Sequence, residues 1–170
     1  FIEDRNGWHG KPLKADELAR ALEEIGPAPE VDARRFVHKP KPFHKRRTAV
    51  APGVPRTAYT EKTATRLAYG NALLNLAKVD PRIVAVDGDV KNSTYADKLF
   101  EACPDRAFQG YIAEQNMVGV GMGLAAKGYI PFMATFAAFL TRAHDQVRMA
   151  AYSFSNIKLC GSHVGVSIGE

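Results

Sequence analysis

Cysteine is scarce in this 170-residue sequence: there are two, Cys103 and Cys160, and they form no C-x-x-C pair. That excludes zinc-ribbon and dithiol-redox spacing. Two isolated thiols suit a reducing compartment, and a cytoplasmic location is expected. Long apolar runs are missing too. Nothing approaches the about 18 residues needed to span a bilayer, and no signal-peptide pattern opens the sequence, so no membrane partner is expected. Repeats and low-complexity segments are absent. One stretch lacks acid altogether: Arg34, Arg35, Lys39, Lys41, Lys45, Arg46 and Arg47 follow one another with no Asp or Glu between, and carry much of the net charge of +5. Such a run is usually a solvated segment. A nucleic-acid site needs its charge on a folded face beside aromatics. Phe36 and Phe43 are present, but Pro40 and Pro42 make an extended tether of the run, so no nucleic-acid partner is expected.

What is present is enough for a core, since 46% of the residues are hydrophobic. Residues 1–13 show turn signals at Asn6-Gly7 and Gly10-Lys11-Pro12. Leu18, Ala19, Leu22 and Ile25 predict a short helix over 15–25, ended by Gly26-Pro27. Residues 27–60, punctuated by Pro27, Pro29, Pro40, Pro42, Pro52 and Pro55, read as a basic linker lying over a surface. A second domain is expected from residue 61. Its pattern predicts helices over 61–79, 95–102, 114–127 and 136–152, and strands over 82–87, 107–112, 129–135 and 157–161. Strands alternating with helices give βαβ units, hence an α/β fold with a parallel sheet flanked by helices.

In such a sheet the loops after the strands open on one edge, where ligands bind. Those loops hold Asp87 to Thr94, Tyr111 to Glu114, Ala134 to Phe136, and Gly161 to His163. Glu114 stands where a strand hands over to a helix. From spacing alone it is first an acid that complements the helix dipole, and secondly a ligand-edge carboxylate. Gly119, Gly121 and Gly123 would let a backbone or a flat ring come close. Asp87 and Asp89 are spaced as turn formers more than as a metal pair. His163 alone is more often a hydrogen-bonded core residue than a ligand.

Six blocks carry a resemblance: WHGKPL (8–13), ATRLAYG (64–70), DGDVKNST (87–94), YIAEQNM (111–117), TFAAFLTRAHDQVRMAAYS (135–153) and LCGSHVGVSIGE (159–170). In this order they resemble transketolases, thiamine-diphosphate enzymes, and the similarity is near-continuous from residue 60 onward. The resemblance implies a thiamine-diphosphate-binding fold of the pyrimidine type over 61–170, incomplete at its C-terminus. Residues 1–26 would be the tail of the diphosphate-binding domain. It implies transfer of a two-carbon ketol unit between phosphorylated sugars by a homodimer, in the pentose phosphate pathway or the Calvin cycle.

It also implies roles. Glu114 matches the glutamate that hydrogen-bonds N1′ of the cofactor's aminopyrimidine, relaying general acid–base catalysis through the ring. Phe136 and Phe139 match aromatics that pack on that ring, and Asp89 an acid near it. Arg66, Ser93 and His163 match residues on the sugar phosphate, and a guanidinium suits a phosphate by gripping it with two bonds. His9 matches a histidine near the thiazolium and the donor sugar's oxygens. The family's diphosphate and magnesium site, a Gly-Asp-Gly segment with a downstream Asn, has no match here, so Mg2+ ligands are expected outside this sequence. The sequence is therefore expected to be an internal fragment, inactive by itself. Two alternatives stand beside this: a 1-deoxyxylulose-5-phosphate synthase-like enzyme, which shares the glutamate and the fold, and a truncated, non-catalytic dimerisation module.

Overall fold

The computed structural model describes residues 1–2, 5, 8, 10–32 and 53–165. The chain divides into two units, residues 1–42 and 43–170. In the first, α1 (Ala15–Ile25) forms where the period predicts it. The Glu17 carboxylate accepts from the Lys14 N–H at 2.8 Å, closing the first turn. Its apolar positions Leu18, Leu22 and Ile25 are exposed.

The second unit is a parallel sheet with helices on both faces. Its elements are α2 (Thr65–Val79), β1 (Ile83–Asp87), α3 (Lys91–Thr94), α4 (Asp97–Ala102), β2 (Ala107–Gln109), α5 (Glu114–Ala126), β3 (Ile130–Phe136), α6 (Ala137–Leu140), α7 (His144–Tyr152) and β4 (Lys158–Ser162). The strand order is β2-β1-β3-β4, with every pair parallel. All five residues of β1 are buried, as expected of an inner strand covered on both faces. Alternation sorts the core. Ile83 and Ala85 pack with Leu73 and Ala77 of α2 and Leu99 of α4 on one face. Val86 packs with Met117 of α5 and Met133 of β3 on the other. Residues 53–60 run along α2. Asn75 donates its amide to the Pro55 carbonyl at 3.2 Å and to the Thr57 hydroxyl at 3.1 Å, and Asn71 donates to the Tyr59 hydroxyl at 2.9 Å.

Three expectations need correcting. The stretch 107–112 is strand only to Gln109. Gly110 still donates to the Asp87 carbonyl at 2.7 Å, but Tyr111 then turns left-handed (φ 52°) and leaves the ladder. The helix expected over 95–102 is preceded by a separate turn, α3, and starts at Asp97, because Tyr95 is left-handed (φ 61°). Gly70 makes room for this joint: a Cβ there would meet the Tyr95 carbonyl oxygen at 2.3 Å, so a glycine in α2 lets the α3–α4 joint press against it. The helix expected over 136–152 is broken by a 3-10 turn, Thr141–Ala143, where the Thr141 hydroxyl donates to the Ala138 carbonyl at 2.7 Å. Of the α5 glycines, Gly121 admits the Met133 side chain, whereas Gly119 and Gly123 face open space.

Candidate functional site

The strand order sets the place. From β1 the chain moves out to β2, then crosses back so that β3 lies on the other side of β1. The crevice beyond the carboxyl ends of β1 and β3 is therefore the switch point, where doubly wound sheets bind ligands. Gly88 and Thr135 meet there: the Gly88 N–H donates to the Ala134 carbonyl at 2.9 Å. A Cβ on Gly88 would fall 2.9 Å from the Thr135 hydroxyl oxygen.

The chain crosses back through α5, and Glu114 is its first residue. Its carboxylate is 1% exposed. Nη1 of Arg142 lies 2.8 Å from Oε2, yet Oε2 accepts no hydrogen bond. The two observations are compatible: the distance makes an ion pair, but the N–H vectors miss the oxygen. Arg142 Nη1 donates instead to the Ile112 carbonyl at 3.4 Å. A buried carboxylate oxygen with a cation beside it and no donor aimed at it is an acceptor left open. Beside it the 3-10 turn carries Arg142, and Phe139 stands three residues earlier, 41% exposed. Phe136 and Phe139 are stacked, with centroids 5.2 Å apart and planes at 22°.

A second group gathers around Arg66 near the start of α2. Its Nη1 donates to the Ser93 carbonyl at 3.1 Å and to Nε2 of His163 at 3.4 Å, and its guanidinium sits 5.4 Å over the Tyr95 ring. An arginine has only donors, so Nε2 is the bare nitrogen of His163. Nδ1 then carries the proton and donates to the Ser162 hydroxyl at 2.9 Å. The His163 ring lies 4.2 Å from that of Phe136, which joins the two groups.

Asp89 lies on the β1–α3 loop, exposed and left-handed (φ 67°). One acceptor fixes that loop: the Gln109 side-chain carbonyl takes the N–H of Asp89 at 3.1 Å and of Tyr111 at 3.2 Å. Asp87, beneath, is a turn former. It accepts from the Val90 N–H at 2.7 Å and the Thr94 hydroxyl at 2.8 Å. Burial pushes its carboxyl up to about 6, against the pull of those two bonds. Among the described residues no cluster of His, Cys, Asp and Glu could hold a metal ion, and no helix is long and apolar enough to cross a membrane.

Residues 61–170 match the family model described as transketolase, pyrimidine binding domain. The chain belongs to the transketolase family. It is 45% identical to human transketolase over 173 residues, which covers 99% of this chain and 28% of the human protein. A solved structure described as a split gene transketolase, inactive beta4 tetramer, is 42% identical; the match covers 58% of this chain and 34% of that one, with a TM-score of 0.53. Transketolase from Leishmania mexicana is 27% identical, over 62% of this chain and 17% of that one, with a TM-score of 0.56. The chain thus spans about 28% of the length of the human relative it matches.

The transketolase fold brings Arg66, Ser93, His163, Phe136 and Phe139 into one neighbourhood, although Ser93 meets Arg66 through its carbonyl rather than its hydroxyl. Glu114 opens α5, and Asp89 stands on a neighbouring loop of the same sheet edge. His9 lies outside the described residues. Sequence reasoning missed Arg142 and Gln109. Arg142 was hidden in the TFAAFLTRAHDQ block, read as ordinary helix. Gln109 carries no motif, and its partners emerge only once two left-handed turns are placed side by side.

Proposed function

We propose that this chain supplies the aminopyrimidine-side half of a transketolase active site, and that the complete enzyme moves a two-carbon ketol unit between phosphorylated sugars. The observation that carries this reading is Glu114 Oε2, buried at the first residue of the crossing helix, next to a cation and accepting no hydrogen bond. An aminopyrimidine ring nitrogen suits that oxygen, and the stacked Phe136–Phe139 pair offers an aromatic surface for the ring. The residues present fit the pyrimidine end of thiamine diphosphate. When bound, that cofactor supplies an acidic C2 carbon able to add to a ketose carbonyl. Glu114 would hold and return a proton at N1′, which tunes the ring for that deprotonation. Asp89 would stand near the ring, and His9 near the donor sugar's oxygens. Arg66, Ser93 and His163 would hold the sugar phosphate, the guanidinium turning from the His163 nitrogen to the anion. Magnesium and the diphosphate would be held by residues outside this chain, on the other subunit of a homodimer.

The deoxyxylulose-synthase alternative is not favoured, since the named relatives are transketolases. The test is Glu114→Gln in the complete enzyme. An amide of the same shape cannot exchange the proton, so hydrogen–deuterium exchange at cofactor C2, followed by NMR, slows by several powers of ten while the fold persists. Exchange within about threefold of wild type would remove Glu114 from this role.

A further inference from the structure

We propose that Arg142 is a positioning residue for Glu114: an internal counter-ion that holds the open carboxylate oxygen until a ring nitrogen takes its place. The inference rests on the reading of Glu114 given above. It starts from an asymmetry. Glu114 is 1% exposed and begins a helix, so its carboxylate has nowhere to go. The Arg142 side chain is 52% exposed and rides on a short 3-10 turn between α6 and α7, so its guanidinium can withdraw into water at small cost. A buried carboxylate without a cation would be strongly disfavoured, and Arg142 supplies that cation at 2.8 Å.

The contact is also incomplete in the manner of a placeholder. Nη1 directs its hydrogen bond to the Ile112 carbonyl, not to the carboxylate. The pair therefore carries Coulomb attraction but lacks a directed charge-assisted hydrogen bond, which is roughly twice as strong as a neutral one. A ring nitrogen that carries the shared proton, arriving along the open lone pair, gains the bond that Arg142 does not make. The competing contact is weak and exposed: the Ile112 carbonyl, two residues before Glu114, accepts from Nη1 at 3.4 Å, and Ile112 is itself 63% exposed. Binding of the ring then exchanges one partner of Oε2 for another, and part of the binding free energy goes into displacing Arg142.

That exchange fixes the sign of the test. Thiamine diphosphate affinity, with Mg2+ present, is measured by calorimetry for the complete enzyme and for Arg142→Met, Arg142→Lys, Glu114→Gln and the Arg142→Met/Glu114→Gln double variant. Removing a competitor for the oxygen makes the cofactor bind more tightly, by about twofold to fivefold, the upper part of the range of an exposed ion pair. Arg142→Lys keeps a cation and stays near wild type. In the Glu114→Gln background, where no charge is left to neutralise, Arg142→Met changes affinity by less than about twofold. A residue of purely structural value would do the reverse, since its loss loosens the site and weakens binding. Weaker or unchanged affinity in Arg142→Met would overturn the proposal, as would equal tightening in both backgrounds. If Glu114→Gln itself leaves cofactor affinity and C2 exchange unaltered, the reading of Glu114 fails first, and the two failures are told apart.

Discussion

Arg66 is held from three sides, by the Ser93 carbonyl, the His163 Nε2 and the Tyr95 ring, and none of these is an anion. A guanidinium whose partners among the described residues are all neutral keeps its charge for something else. We expect Arg66→Ala in the complete enzyme to raise KM for phosphorylated sugars about tenfold to a hundredfold, since a charge-assisted phosphate bond contributes about 1.5–3 kcal/mol. Hydroxypyruvate, a donor without phosphate, should be used nearly as before. Steady-state kinetics on both donors checks this; equal losses would make Arg66 a structural residue. At this scale, residue type and place after a strand put Glu114 and His163 on the ligand edge of the sheet but gave them no role; the roles proposed for them come from the resemblance. The sequence was silent where the partner is distant in the chain. Arg142 meets Glu114 across 28 positions, and Gln109 meets Asp89 across 20.

Elements were legible in kind and less so in their joints. Every expected strand and helix of the second unit exists, because apolar periodicity reports burial directly. The joints depended on tertiary contact. Tyr95 turns left-handed where the α3–α4 joint packs on Gly70 of α2, and a local pattern does not show that. Asp87 illustrates how one buried acid organises such a joint, capping the turn before α3 through Val90 and holding Thr94. Its folded-state carboxyl is raised from 3.8 to about 6. The folded chain therefore binds more protons than the unfolded chain between those values, and stability falls as pH rises through that window. The shift of about two units corresponds to about 3 kcal/mol, fully present below pH 3.8 and lost above about 6. Asparagine can still accept from Val90 and donate to Thr94, but carries no charge to bury. Urea unfolding from pH 4 to 7 should show the Asp87→Asn variant gaining on wild type as pH rises. Parallel curves for the two would mean that Asp87 is not the group responsible.

On the scale of the whole molecule, one sheet edge collects the candidate residues: Glu114 after β2, Asp89 after β1, Phe136 and Phe139 at and after β3, and His163 after β4. The topology made this legible, because parallel strands send all their following loops to one edge. What the sequence could not show was the crossing of α5 from β2 to β3, which makes Glu114 the first residue of the crossing helix. The chain covers 28% of the length of human transketolase. On the proposed function it supplies one half of a site, so we expect a half site that works only when completed. The most direct measurement is ketol transfer from xylulose 5-phosphate to ribose 5-phosphate, with thiamine diphosphate and Mg2+, by the purified 170-residue chain, alone and mixed with a polypeptide carrying the family's diphosphate-binding segment. No turnover alone, turnover in the mixture, and its loss when the chain carries Glu114→Gln is the predicted result. Turnover by the chain alone, or a mixture as active with Glu114→Gln as without it, would contradict the account.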